Sequence, residues 1–340
     1  MKITVLGGGA WGTAIALSAA SHLPHHSVCL WARSTEQIEA LRINAENKQY
    51  LPGIALPKSL LLESDLQKAL ARLGSADLLV IATPMSGLAQ ILDAIFVSTK
   101  QVLNILWLCK GLEPNTALLP HQVFQREQAK YPGQAHAYGV LSGPSFASEV
   151  AWGMPCALTA ASSSTELVTL IQQVFHHGNM RVYGSDDVVG VELGGAIKNV
   201  LAIATGIGDG LGLGLNARAA VLTRGLSEMM RLIISMGGKS ETAMGLTGVG
   251  DLILTATGDL SRNRQVGLQL ASGKKLSEVL GALGHVAEGV RCAQAVNDLA
   301  KTKGIEMPIT HMVCEVLFNG QDVASAVKLL MSRDARAESR

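Results

Sequence analysis

Residues 2–14, KITVLGGGAWGTA, decide the fold. A short β-like apolar run, 2–6, leads into Gly7, Gly9 and Gly12, spaced as G-x-G-x-x-G. In that spacing Gly7 permits the tight turn, Gly9 lets the backbone approach a pyrophosphate, and Gly12 lets the following helix pack closely on the sheet. A helix predicted from about residue 12 to 21 would then offer its unpaired N–H groups to the phosphates. Glycine spacing alone is weak in a chain with 36 glycines. The strand before it, the helix after it and a second buried strand at 28–32, VCLWA, make it a β–turn–α–β start of the doubly wound kind. The alternative is a glycine turn in an unrelated α/β protein.

The second strand ends Trp31-Ala32-Arg33-Ser34, where an NAD site usually carries an acid for the ribose hydroxyls. A guanidinium and a hydroxyl suit a 2′-phosphate, so NADP(H) is favoured over NAD(H). Glu36 could turn toward the ribose, which leaves NAD(H) possible.

Further strands are expected at 77–82, 102–109, 137–141, 156–160 and 180–183, with helical stretches between several of them. Near Asp187 the character changes. Helix-compatible stretches at 188–204, 216–235, 262–272, 289–302 and 308–318 dominate to about Arg333. The fold class expected is α/β: an N-terminal Rossmann-like dinucleotide-binding domain, 1–186, followed by an all-α C-terminal domain, 187–335, that supplies substrate-binding and catalytic groups. The tail DARAESR is polar.

The whole composition is consistent with this plan. The 340 residues are long for one compact domain, and 48% hydrophobic residues suffice for two cores. Lysine plus arginine is 28 against 27 acids, a net charge of +1, so no basic field calls for nucleic acid. The first residues lack the pattern of a secretory signal, and no transmembrane segment is expected, because no uninterrupted apolar run reaches the length of a spanning helix. Cys29, Cys109, Cys156, Cys292 and Cys314 are odd in number, widely spaced and without a CxxC pair, which argues against a disulfide framework or a zinc site and for the cytoplasm.

Two stretches of the second half put polar groups in apolar, glycine-rich surroundings. In Gly194-Gly195-Ala196-Ile197-Lys198-Asn199-Val200, a lysine among small and aliphatic residues needs a partner or a job. In Gly248-Val249-Gly250-Asp251-Leu252, with Thr255 and then Ser261-Arg262-Asn263-Arg264, the Arg and Asn at a probable helix start could hold a small phosphate or form an ordinary polar cap.

Across nearly its whole length the chain resembles the bacterial glycerol-3-phosphate dehydrogenase family that uses NAD(P)+. The resemblance rests on ordered motifs: GGGAWGTA at 7–14, NxxYLPGIALP from Asn47, KGLE at 110–113, LSGPSFASEVA at 141–151, GGAIKNVLAIATGIGDGLGLGLNARAA at 194–220, GVGDLILTATGDLSRNR at 248–264 and VAEGV at 286–290. It implies reversible reduction of dihydroxyacetone phosphate to sn-glycerol 3-phosphate for glycerophospholipid synthesis, by a cytoplasmic enzyme that is commonly a homodimer. It implies Lys198 as proton donor and acceptor. Lys110, Gly143, Ser145, Asp251, Ser261, Arg262 and Asn263 would contact substrate. Trp11, Arg33, Ala147, Val286 and Glu288 would lie on the cofactor side, as would Lys110 and Arg262. Asn199 and Thr255 occupy places used in related dehydrogenases. Ala10 stands where many members have serine and Ala256 where many have cysteine; backbone N–H groups can carry the phosphate site without the serine.

The rival readings are weaker. A dehydrogenase of another 2-hydroxy or 3-hydroxy acid would often use histidine, yet the nine histidines show no paired catalytic pattern, and the adjacent pairs His25-His26 and His176-His177 read as loop or surface residues. A nucleotide sensor would need Gly7, Gly9 and Gly12 but not Lys198 with Asp251. Gly237-Gly238-Lys239-Ser240 lacks the earlier glycine of a P-loop. Ser145 is not in G-x-S-x-G.

Overall fold

The structure, a computed structural model, describes residues 1–22, 26–283 and 287–334. Val286, singled out for the cofactor side, lies outside the described residues, as do His25, His285 and the tail from residue 335. The chain divides into two units, Met1–Glu113 with Leu118–Glu192, and Pro114–Ala117 with Leu193–Arg340.

In the first unit the strands are β1 Lys2–Leu6, β2 Ser27–Trp31, β3 Glu46–Asn47, β4 Leu51–Ala55, β5 Leu61–Glu63, β6 Leu78–Ile81, β7 Asn104–Trp107, β8 Ala137–Ser142, β9 Cys156–Ala161 and β10 Met180–Ser185. Its helices are α1 Ala10–Ala20, α2 Thr35–Asn44, α3 Leu66–Ala71, α4 Leu88–Ser98, α5 Pro120–Gln128, α6 Ala147–Ala151 and α7 Thr165–Phe175. Eight strands form one sheet in the order β10-β9-β8-β7-β6-β1-β2-β5. From β5 to β8 every pairing is parallel, and only β8 with β9 is antiparallel. Read along the chain, the six parallel strands follow the doubly wound order 3-2-1-4-5-6, which reverses between β1 and β6. A sheet covered on both faces needs strands apolar on both faces. Ile3, Val5, Leu78, Val80 and Leu106 enter one core, while Leu6, Leu79, Ile81, Ile105 and Trp107 enter the other.

The expected Rossmann-like unit is therefore present, and its predicted strands appear with ends shifted by a few residues. The strand expected over 102–109 is regular only from Asn104 to Trp107. Residues 46–63 carried no strand expectation. β3 is two residues long, β4 contains Pro52 and Gly53, and β5 is a three-residue edge strand, so none is long or regular enough to show a period of two. One acid in this unit is wholly internal. Glu192 accepts from Trp107 Nε1 at 3.0 Å and from His121 N–H at 3.0 Å, and His121 Nδ1 lies 2.6 Å away. Burial pushes its carboxyl up against the pull of these donors.

Among the described residues every regular element beyond Ser185 is helical: α8 Val188–Gly210, α9 Gly214–Ser235, α10 Ser240–Ala243, α11 Asp251–Thr257, α12 Arg262–Ala271, α13 Leu276–Ala282, α14 Glu288–Thr302, α15 Pro308–Phe318 and α16 Val323–Met331. α8 and α12 meet through glycine. A Cβ on Gly206 would stand 2.1 Å from Arg264 O, and one on Gly267 would stand 2.2 Å from Ile203 O. Only bare backbone allows this approach. By length and composition α8 could cross a membrane, which the sequence reading did not anticipate, yet most of it is buried in the protein as a core helix is.

Glu228 on α9 is another buried acid. It accepts from Ile309 N–H at 2.7 Å, Thr310 N–H at 3.2 Å and Thr310 Oγ1 at 3.1 Å. Burial outweighs these donors and pushes its carboxyl up to about 7 from an ordinary 4.5. Between those values the unfolded chain releases a proton that the folded chain keeps. Glu228 thus favours folding most below pH 4.5, and that contribution declines until about pH 7. The slope is at most about 1.4 kcal/mol per pH unit. Thermal melts at about pH 5 and pH 8 should show a smaller difference in Glu228→Gln than in the unsubstituted protein; parallel curves would refute the buried titration.

Candidate active site

The cofactor half is built at the switch between β1 and β6. The chain leaves β1 at Gly7, whose φ of 136° belongs to the region that favours glycine. Gly7 N–H donates to Trp31 O at 2.9 Å, tying the loop to the end of β2. A Cβ on Gly7 would stand 2.6 Å from Ala82 O, and one on Gly12 would stand 2.0 Å from Gly7 O. Gly9 is different, because a Cβ there would meet nothing within 4 Å. Two glycines are thus needed for packing, and the third faces open space. Gly9 is also the N-cap of α1, so no side chain caps the helix. The first-turn N–H groups behind Ala10, Trp11 and Gly12 are a ready anion site. At the end of β6, Thr83 Oγ1 is buried with no partner among the described residues. A dinucleotide pyrophosphate fits this open loop, the uncapped helix and the orphaned hydroxyl.

Beyond β2, Arg33 is exposed and makes no hydrogen bond or ion pair among the described residues. Ser34 caps α2 by accepting from Gln37 N–H at 3.1 Å and donates to Glu36 Oε2 at 2.6 Å. That hydroxyl holds the Glu36 carboxyl below the usual carboxylate range. A cation and an acid therefore share the strand end.

Two more segments leave the same edge of the sheet. Lys110 follows β7, and its Nζ lies 3.5 Å from Gly143 O, just after β8. Gly143 has a φ of 140°. Ser145 Oγ donates to Gly143 O at 3.1 Å. Ala147 opens α6 and packs with Ala10 and Trp11 against one apolar core. Lys110, Gly143 and Ser145 thus converge on one carbonyl.

The second unit holds the other group. Lys198 stands on α8, 7% exposed. Its Nζ donates to Asp251 Oδ1 at 2.8 Å and to Thr255 Oγ1 at 2.8 Å, and Thr255 Oγ1 donates to Asp251 Oδ1 at 3.2 Å. Asp251 and Thr255 are one turn apart on α11, so they share a face. Asp251 directly follows the π-helical turn Leu246–Gly250. The glycines let that turn close on its neighbours: a Cβ on Gly194 would stand 2.8 Å from Thr247 O.

Beside Lys198, Asn199 Oδ1 accepts from Asn263 Nδ2 at 2.9 Å, and Asn263 Oδ1 accepts from Gly289 N–H at 3.0 Å. This chain links α8, α12 and the start of α14, where Glu288 lies exposed. Ser261 is buried and caps α12 by accepting from Arg264 N–H at 3.2 Å. Arg262, the first residue of α12, is exposed and has no hydrogen bond or ion pair among the described residues. Its neighbour Arg264 is spent on Asp209 and Asp259. The arrangement offers a buried ammonium for proton transfer and an uncommitted guanidinium for an anion.

Asn47, Gln37, Thr83 and Glu192 carry no role that the sequence alone assigns. Asn47 stood in a quoted motif, but no spacing marks its contacts 34 and 39 residues away. Among the histidines, His22 and His26 stack at 4.6 Å, and His177 meets His22 edge-on at 4.7 Å, away from Lys198 in sequence and unit.

The family model for the N-terminus of NAD-dependent glycerol-3-phosphate dehydrogenase matches residues 2–168, and that for its C-terminus matches 187–328. A glycerol-3-phosphate dehydrogenase (NAD(P)+) of Polynucleobacter asymbioticus is 65% identical over 340 residues, covering 100% of both chains. One of Cupriavidus taiwanensis is 57% identical, covering 99% of this chain and 100% of its own. The crystal structure of glycerol-3-phosphate dehydrogenase from Coxiella burnetii superposes with a TM-score of 0.91 at 38% identity, covering 98% of this chain and 99% of that one.

Proposed function

The chain belongs to the NAD-dependent glycerol-3-phosphate dehydrogenase family, and from that membership we propose how its residues divide the work. It is a nicotinamide-dinucleotide enzyme that interconverts dihydroxyacetone phosphate and sn-glycerol 3-phosphate. The bound reduced nicotinamide supplies the hydride for the keto carbon. Negative charge then grows on the carbonyl oxygen. Lys198 stabilises that charge and gives the oxygen its proton; in reverse the neutral amine takes the proton back. The observation that carries this role is the Lys198–Asp251–Thr255 arrangement, which fixes a buried ammonium at one place on α8. Asp251 orients the lysine. Arg262 and Asn263 grip the substrate phosphate with Ser261, while Lys110, Gly143 and Ser145 line the substrate site. Gly7, Gly9, Ala10, Trp11 and Gly12 hold the pyrophosphate, with Ala147, Val286 and Glu288 on the cofactor side. The decisive assay is absorbance of the reduced nicotinamide on addition of dihydroxyacetone phosphate. No oxidation with either dinucleotide would refute the assignment.

NADP(H) is the favoured cofactor in this proposal, because the Arg33 guanidinium is unspent and a 2′-phosphate would pair with it. Glu36 can accept ribose hydroxyls and keeps NAD(H) usable. Arg33→Glu should weaken NADPH about tenfold and NADH much less, read from cofactor titrations. Equal losses would refute recognition of the 2′-phosphate. The enzyme works in the cytoplasm as a homodimer and feeds glycerophospholipid synthesis. Gel filtration at assay concentrations tests the dimer.

A further inference from the structure

Gly8 carries the peptide carbonyl between the two glycines that make the turn. That carbonyl accepts two side-chain hydrogen bonds from different elements, Gln37 Nε2 on α2 at 2.6 Å and Asn47 Nδ2 on β3 at 3.0 Å. Asn47 Nδ2 also donates to Thr13 Oγ1 on α1 at 2.7 Å, so both hydrogens of its amide are used. Its Oδ1 lies 3.4 Å from Tyr50 N–H. Asn47 is 2% exposed, and Thr13 is fully buried. A buried amide with its hydrogens committed at both ends has one orientation.

The peptide plane converts that orientation into a direction. In a trans peptide, carbonyl and N–H point opposite ways. With Gly8 C=O held toward Gln37 and Asn47, the Gly9 N–H points away from them. No acceptor meets that N–H among the described residues, and the space around Gly9 is open. We propose that Asn47, assisted by Gln37, is a positioning residue for the dinucleotide: it clamps the Gly8 carbonyl and so aims the Gly9 N–H and the uncapped start of α1 at the pyrophosphate. This rests on reading the glycine loop as the dinucleotide site. It gives the NxxYLPG motif a task in a segment that touches neither nicotinamide nor substrate phosphate in the proposed division of work.

The test compares two probes that share adenine and its ribose: ADP-ribose, which adds the pyrophosphate and a second ribose, and adenosine. Dissociation constants are measured by calorimetry or ligand-detected NMR on the full chain. Asn47→Leu keeps the volume and removes both donors; Gln37→Leu removes the other donor from a half-buried site. ADP-ribose should weaken about tenfold in Asn47→Leu and about threefold in Gln37→Leu, while adenosine changes less than about twofold in either. Parallel weakening of both probes would mean a general structural role and overturn the proposal. So would unchanged ADP-ribose affinity in the folded variants. Should Asn47→Leu fail to fold, Gln37→Leu carries the same comparison. Failure of the unsubstituted protein to bind ADP-ribose would instead overturn the dinucleotide reading, and the clamp with it.

Discussion

Replacing Lys198 with alanine is expected to lower kcat by about 10²–10⁴-fold while the dissociation constant for the reduced dinucleotide changes little. The magnitude is that of a lost proton donor at an oxygen gaining charge. A purely structural lysine would give another pattern, with lower stability and near-normal turnover in the folded fraction. The two can be separated. Asp251 is 1% exposed, and removing the ammonium leaves its carboxylate buried without its cation, at a cost of about 3–5 kcal/mol. Lys198→Met combined with Asp251→Asn removes both charges and relieves that cost. It should melt closer to the unsubstituted protein and still lack turnover. Recovery of turnover in the double variant would refute the role of Lys198.

Arg262→Ala is expected to raise KM for dihydroxyacetone phosphate about tenfold to a hundredfold, the worth of a charged hydrogen bond to phosphate. The loss should appear in substrate binding because Arg262 supports nothing else. It is exposed, and no acid or carbonyl among the described residues takes its guanidinium. Arg264, two residues on, makes the contrast. It ties Asp209 to Asp259, so its removal should cost stability first. A KM unchanged in Arg262→Ala would move the phosphate site elsewhere. Asn263 is less clean as a probe, since its amide bridges Asn199 and Gly289 and its removal disturbs three helices.

Much of this was legible in the sequence because the signals are local. Gly7, Gly9 and Gly12 follow a strand by fixed spacing, and the spacing carries the geometry. Asp251 and Thr255 are four apart, yet the helix that puts them on one face is not among the stretches expected from the sequence. Ser261 before Arg262 reads as a cap because capping is a contact across three residues. Lys198 was visible as a lysine among small residues, but its partners lie 53 and 57 positions away; the family resemblance pointed to Asp251, and the bond to Thr255 comes from the structure alone. Asn47 shows the limit most clearly. Its amide matters through the fold's return to Gly8 and Thr13, and nothing in the neighbouring residues announces that return. The short strands near it were invisible for a related reason. A three-residue edge strand has no period to read.

The apolar length of α8 has a consequence for the chain as it is made. Until the helices that cover it have been synthesised, residues 188–210 present the cell's insertion machinery with a stretch long enough to span a bilayer. A lysine or aspartate near the middle of such a stretch raises the free energy of insertion by about 2.5–3.5 kcal/mol. Lys198 sits one residue from the midpoint, and Glu192 adds a second charge near the start. The side chain assigned to proton transfer thus also makes this stretch a poorer membrane span than its apolar length alone suggests.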